Sequence, residues 1–216
     1  MEIKWFGQSC FELKGDKAGL VIDPYEEKIG LKLPELTADL VAVTHDHFDH
    51  NNVKAVSGDP FVINGPGEYE VKGISVSGIP TFHDEKGGQE RGENTVYIIE
   101  VDGIKICHLG DLGHNLSDAQ ADLIDGVDIL LVPVGGEYTI DAKKASEVVE
   151  QIEPRIVIPM HYQIQGLTGV KGLAKVDDFL SEMGVKDINK KDLLKVKKDK
   201  LPQDKTEVVV LKVSNK

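Results

Sequence analysis

The sequence predicts a mixed α/β fold in which strands outnumber helices. Three observations carry that expectation. Short strand-like apolar runs recur through both halves, only three segments carry a cap and helical spacing, and turn dipeptides separate neighbouring runs. In the first half the expected strands are Ile3–Phe6, Cys10–Lys14, Gly19–Ile22, Leu40–Val43, Phe61–Ile63 and Ile74–Ile79, with Gly15-Asp16 as a hairpin signal. In the second half they are Thr95–Val101, Ile104–Leu109, Ile129–Val132, Ile156–Pro159 and Glu207–Val213. Asp102-Gly103 is the strongest hairpin signal in the chain. Helices are expected over Ser117–Ile124 and Asp141–Ile152, each starting at an N-cap residue, and over Leu173–Met183, ended by Gly184. In the second of these, Ala145, Val148, Val149 and Ile152 form one apolar face suited to a sheet. No linker, repeat or low-complexity tract interrupts the pattern, so residues 1–216 are expected to form one domain. The glycine-rich loop Asp84–Gly92 reads as a lid or a solvated connection.

Composition narrows the functional classes. The chain is 40% hydrophobic and 29% charged, as expected of a soluble globular protein. Its N-terminus opens on strand-like residues without a long apolar stretch, and no run is long enough to span a membrane, which makes the cytoplasm the default expectation. The two cysteines, Cys10 and Cys107, are far apart and are expected as buried reduced thiols. A net charge of −12 argues against general polyanion binding. Only residues 186–205, with eight Lys against four Asp, are locally basic; they leave nucleic acid as a less favoured partner.

The densest chemical signal is Thr44-His45-Asp46-His47-Phe48-Asp49-His50, directly after the apolar run Leu40–Val43. Imidazole and carboxylate are the ligands that suit zinc, iron and manganese. In an extended or turning segment His45 and His47 project to one side, while Asp49 and His50 follow the turn. One loop could thus serve two ions. Three further ligand-type residues end strand-like runs: His83, Asp111 and His161. Strand C-termini are where α/β folds place their chemistry.

The order Thr-His-x-His-x-Asp-His, His, Gly-Asp and Pro-Met-His resembles the metallo-β-lactamase-fold hydrolase superfamily. Within it the chain resembles small stand-alone members related to ascorbate-6-phosphate lactonase. Trp5–Phe11, His108–His114 and Pro133–Gly136 are similar to that subgroup too; some relatives carry His where Gln8 stands. The resemblance implies a four-layer αββα sandwich of two mixed sheets with outer helices. It implies two divalent ions, zinc first and manganese or iron as alternatives. His45, His47 and His83 would hold one ion, Asp49, His50 and His161 the other, and Asp111 would bridge. The expected nucleophile is a hydroxide between the ions, oriented by Asp49, with His114 as candidate general acid.

Departures from other branches narrow the choice. His50 and Asp111 point away from true β-lactamases, and His47 from flavodiiron oxidoreductases. Only fifty positions separate Asp111 from His161, too few for the inserted cap of RNA-processing members. The residues after Gly184 are too few and too strand-like for the helical domain of glyoxalase II. What remains is a hydrolase for a small ester, foremost a lactone or phosphorylated lactone. The alternatives are a phosphodiesterase or nuclease, and a metal-binding relative without turnover. Arg91 is a candidate clamp for an anionic group, and Tyr138 and Thr139 are candidate pocket residues. A homo-oligomer remains open.

Overall fold

The computed structural model describes residues 1–214; of the expected domain, positions 215 and 216 lie outside the described residues. The first part of the chain forms β1 (Glu2–Gly7), β2 (Cys10–Lys14), β3 (Gly19–Ile22), β4 (Leu36–Thr37), β5 (Leu40–Ala42), β6 (Val56–Ser57) and β7 (Phe61–Ile63). Then follow β8 (Gly67–Val71), β9 (Ile74–Phe82), β10 (Glu93–Val101), β11 (Ile104–His108), α1 (Asp118–Ile124) and β12 (Ile129–Pro133). The chain continues through α2 (Ala142–Ile152), β13 (Ile156–Met160), α3 (Val176–Glu182), β14 (Leu194–Lys195) and β15 (Glu207–Val208).

Two large mixed sheets result. The first has the order β14-β1-β2-β3-β5-β7 and the second β15-β13-β12-β11-β10-β9-β8; β4 and β6 pair separately. Side-chain alternation on the first sheet divides its residues between two cores. Leu20, Ile22, Leu40 and Ala42 join the large cluster shared with the second sheet, while Val21 and Val41 join a smaller one with Phe6, Tyr25 and Leu173. Each fully buried Leu, Ile or Val contributes about 1.5–3 kcal/mol before its ordering entropy is set against it.

The α-helices gather over the second sheet. Ala145, Val148, Val149 and Ile152 of α2 are buried in the same cluster as Ile129–Val132 of β12 and Ile156–Ile158 of β13. The outer face of the first sheet is covered instead by a 3-10 turn carrying Ile29, the β4–β6 pair carrying Leu36, and an irregular segment carrying Leu167. The sandwich thus has its full helical layer on one side only.

Local signals account for most boundaries. Ser117 caps α1 in a reciprocal capping box with Gln120, and Asp141 caps α2 by accepting from the Lys144 N–H. Asp102 and Gly103 both take left-handed φ values, 52° and 72°, in the two-residue turn joining β10 to β11. Two expected bounds are corrected, and one strand was not expected. The third helix starts at Val176 rather than Leu173, because Ala174 exchanges backbone bonds with Gly135 and Gln163. The last strand ends at Val208, continuing only as isolated bridges at Leu211 and Val213. The polar strand Gly67–Val71 has no apolar alternation to announce it; the Lys72-Gly73 turn folds it onto β9.

Among the described residues no helix is long and apolar enough to cross a membrane. Cys10 and Cys107 are free and buried. Several basic-segment cations are already paired: Lys198 with Asp128, Lys191 with Glu207 and Lys195 with Glu2. Asp128 precedes β12, so Lys198 sits at the end of the sheet opposite to the one described next.

Candidate metal centre

Strand direction explains why distant residues meet. β11, β12 and β13 run parallel, β9 points the same way across β10, and the C-terminal ends of β1, β3 and β5 also coincide. Gln8, Asp23, His45–His50, His83, Asp111 and His161 all lie just beyond such ends. Three of them hold left-handed backbone: Gln8 at φ 52°, Asp23 at 47° and His161 at 52°. Non-glycine residues persist there only where surrounding contacts fix them, and such positions cluster at functional sites. Gly110 is needed for a different reason. A Cβ there would stand 2.3 Å from Asn94 Oδ1, the atom that accepts the Asp111 N–H at 3.0 Å.

The seven sequence-nominated ligand residues converge. His45, His47 and His83 form one group whose ligand atoms all lie within 4.8 Å of one another, and Asp49, His50 and His161 form a second. Asp111 groups with one residue of each, His45 and His50. Its Oδ2 stands 3.2 Å from His83 Nε2, 3.3 Å from His50 Nε2 and 3.1 Å from His161 Nε2. The His45 ring lies 4.5 Å from that of His47, 4.1 Å from His50 and 4.8 Å from His83.

Whether this cluster fits metal is decided by its unpaired atoms. Nε2 of His45 and of His50 are buried without a hydrogen-bond partner, although their Nδ1 atoms are both engaged. A buried polar atom without a partner is costly, and the inward-facing nitrogens around one carboxylate oxygen form a donor set that fits a metal cation. Thr44 Oγ1 donates to Asp23 Oδ2 at 2.8 Å and lies 3.0 Å from His45 Nδ1. Asp23 Oδ2 also accepts from His50 Nδ1 at 2.9 Å. With the Thr44 hydroxyl proton committed to Asp23, His45 Nδ1–H donates to Thr44. Both rings are thereby held in the tautomer that turns an Nε2 lone pair inward.

Electrostatics follow the same division. Burial, then the neighbouring His50, hold His45 well below the usual imidazole range. Burial and His83 lower His47 as well, so both favour the neutral form that binds metal. Burial also opposes charge on His50, but Asp111, Asp23 and Asp49 outweigh it and raise that imidazole, so without a cation its Nε2 favours a proton that metal binding would displace. Burial would push Asp111 up, yet His161 and His50 hold it well below the usual carboxylate range.

A cavity of about 360 Å³ opens beside the cluster, lined by His47, Phe48, Asp49, His83, Asp111 and His161 from the centre, and by Glu90, Arg91, Tyr138, Gly169 and Val170. Arg91 stacks over the Tyr138 ring at 5.7 Å, and its side chain makes only a long contact to the Glu137 carbonyl, 3.4 Å, and a marginal one to Glu90, 4.0 Å. The loop that carries it is braced. The Asp84 carboxylate accepts the N–H groups of Lys86, Gly88, Glu90 and Arg91 at 2.7–3.0 Å, and these bonds outweigh its partial desolvation, lowering its pKa to about 2. The Asp84 carboxylate thus organises the turn from Lys86 to Arg91.

Two nominated residues do not join the site. His114 Nε2 accepts the Phe82 N–H at 3.2 Å, and its Nδ1–H donates to the Asn115 carbonyl at 2.7 Å. Both ring nitrogens thus bond to backbone groups, and His114 is not among the residues lining the cavity. Thr139 is buried, donates to the Ile140 carbonyl at 3.1 Å, and does not line the cavity. Sequence reasoning passed over Asp23, Thr44, Asn94 and Asp84. Asp23 had a readable signal: it follows an apolar strand as Asp111 does. His108 is a packing residue, with Nε2 donating to the Ser9 carbonyl and Nδ1 accepting from the Gly110 N–H.

Residues 2–161 match the family model described as a beta-lactamase superfamily domain. A UPF0173 metal-dependent hydrolase of Thermococcus onnurineus is 32% identical over 191 residues, covering 75% of this chain and 84% of that one. A crystal structure from Thermotoga maritima, described as a candidate Zn-dependent hydrolase of the metallo-β-lactamase superfamily, is 39% identical, covers 97% of each chain and superposes with a TM-score of 0.80. An isothiocyanate hydrolase from Delia radicum gut bacteria shares the fold at a TM-score of 0.68 with 14% identity. With the strand-end ligand cluster and these relatives together, the chain belongs to the metallo-β-lactamase superfamily, among its metal-dependent hydrolases.

Proposed function

We propose that this protein is a dinuclear hydrolase of a small ester bearing an anionic group, a lactone or phosphorylated lactone foremost. The observation that carries the reading is the pairing of two ligand triads through Asp111 at the floor of a cavity that holds one Arg. His45, His47 and His83 would hold one ion, Asp49, His50 and His161 the other, with Asp111 shared. The imidazole-rich set suits zinc, and manganese or iron are the alternatives. Two such ions, when bound, polarise the oxygen under attack and lower the pKa of water toward neutrality.

The chain supplies the rest. Asp49 reaches the cavity wall, where its carboxylate can orient the attacking water and accept its proton. Arg91, with most of its N–H groups unengaged, offers a bidentate hold on a carboxylate or phosphate, and the Asp84 turn fixes where it stands. Phe48, Tyr138 and Val170 contact the carbon body and keep bulk water away from the floor. A cavity near 360 Å³ suits a small molecule rather than a polymer. The basic segment around Lys198 lies at the far end of the sheet, which weighs against a nuclease.

The test is elemental analysis of purified protein followed by a panel of lactones, phosphorylated lactones and phosphodiesters. Two ions per chain and preferential turnover of an anionic lactone are expected. Preferential turnover of phosphodiesters, or no more than one ion after reconstitution with zinc or manganese, would overturn the reading.

A further inference from the structure

Gln8 sits behind the metal centre, fully buried, where nothing in the fold requires a long polar side chain. It follows Gly7 in the left-handed turn between β1 and β2, a position better suited to Gly or Asn. Its carbonyl is clamped from two sides, accepting from Trp5 Nε1–H at 2.9 Å and from the His161 N–H at 3.1 Å. The amide head is therefore delivered to a fixed place. Nε2 lies 3.0 Å from Asp49 Oδ2 and 2.8 Å from His161 Nε2, while Oε1 is buried with no partner.

That arrangement conflicts with an occupied centre. An ion shared by Asp49, His50 and His161 takes the lone pair of His161 Nε2, which an amide N–H cannot then use. Atoms that share one ion through bonds of about 2.0–2.2 Å lie roughly 3–3.5 Å from each other. The amide atom facing Asp49 and His161 stands at about such a spacing from both. An amide presents oxygen and nitrogen in nearly the same shape, so a half-turn exchanges them without moving the backbone.

We propose that Gln8 is a fifth protein ligand of the ion held by Asp49, His50, His161 and the shared Asp111, its amide turning so that Oε1 faces that ion. This rests on the dinuclear reading above. Without the ion, Nε2 faces the Asp49 carboxylate, since two oxygens would repel; with it, the unpaired oxygen gains a cation and the N–H groups leave the ligand atoms. The amide orientation then reports occupancy of this one position.

The experiment compares wild type with Gln8→Met and Gln8→Leu, which keep bulk and remove the oxygen, and Gln8→Glu, which keeps an oxygen. Circular dichroism and thermal melts check folding, and zinc and cobalt(II) titrations read affinity, stoichiometry and the cobalt absorption spectrum. Wild type is expected to bind two ions. The Met and Leu variants should keep one ion and bind the second about 10–100-fold more weakly, with an altered cobalt spectrum at saturation. Gln8→Glu should retain both ions, and the wild-type side-chain NH2 signals should shift as the second ion binds. Wild-type affinity and spectrum in the Met and Leu variants would overturn the assignment, as would equal weakening of both ions or a weakened second ion with an unchanged spectrum. A folding failure in either apolar variant leaves the Glu variant and the wild-type amide signals to decide, and amide signals unmoved by the second ion would overturn it. Should wild type itself take up only one ion, the dinuclear reading falls first and this assignment with it.

Discussion

Asp23 Oδ2 accepts the His50 Nδ1–H at 2.9 Å while the opposite nitrogen of the same ring faces Asp111 at 3.3 Å. The carboxylate also takes the Thr44 N–H and hydroxyl, both at 2.8 Å, so one buried group orients two imidazoles. Asp23→Asn places a donor among three donors and disturbs both rings. Zinc affinity is expected to drop about 10–100-fold with the sheets intact, measured by competition with a chromophoric chelator. Unchanged affinity would show that the rings orient themselves without it.

Asp111 is expected to be the least replaceable ligand. Its Oδ2 faces imidazoles from both triads, so Asp111→Ala removes a contact common to both positions. Metal content should fall below that of wild type and most turnover should disappear, while circular dichroism stays the same. A variant that keeps near-wild-type turnover rules out a shared role for this residue.

Arg91→Ala should separate binding from chemistry. Loss of a charge-assisted contact, about 1.5–3 kcal/mol, corresponds to a rise in KM of roughly 10–100-fold for anionic substrates. Neutral esters should be unaffected. Asp84→Ala should act in the same direction but more weakly, because it loosens the turn that presents Arg91 rather than removing the guanidinium. A matching loss on neutral esters would place Arg91 in fold support instead.

His114→Ala should leave metal content unchanged and cost far less than the about 10²–10³-fold expected of a general acid. Both of its nitrogens bond to backbone at Phe82 and Asn115, so the expected loss is in local stability, read as a lowered melting temperature. A collapse in turnover confined to substrates with poor leaving groups would reinstate it as the acid.

Burial raises both thiols, Cys107 and Cys10, above the ordinary value of 9.0, with Asp23 and Glu12 adding to the effect at Cys10. The folded state therefore favours the protonated form. Its contribution to stability is fully present below pH 9 and is lost as the pH rises through the folded values. Near neutrality neither thiol should react with an aromatic disulfide reagent until the protein unfolds, and stability should decline above about pH 9. Rapid labelling of native protein at pH 7 would contradict this.

The sequence by itself determined most of the longer strands, because two-residue alternation and turn dipeptides are local properties, and Asp102-Gly103 or Ser117 carry their geometry with them; the polar strand Gly67–Val71 and the two-residue strands carry no such signal. It determined the metal-ligand types too, since His45–His50 concentrates them in one loop and His83, Asp111 and His161 repeat a strand-end pattern. Tertiary structure alone decided which side chains share the site. Strand order brings Gln8 and Asp23 of the first sheet against Asp111 and His161 of the second, over separations that no local pattern encodes. It also placed His114 and Thr139 outside the cavity lining, with their polar atoms bonded to nearby backbone groups. Residue type announces what a side chain can do; its hydrogen-bond partners, fixed only by packing, determine whether it remains free to do it.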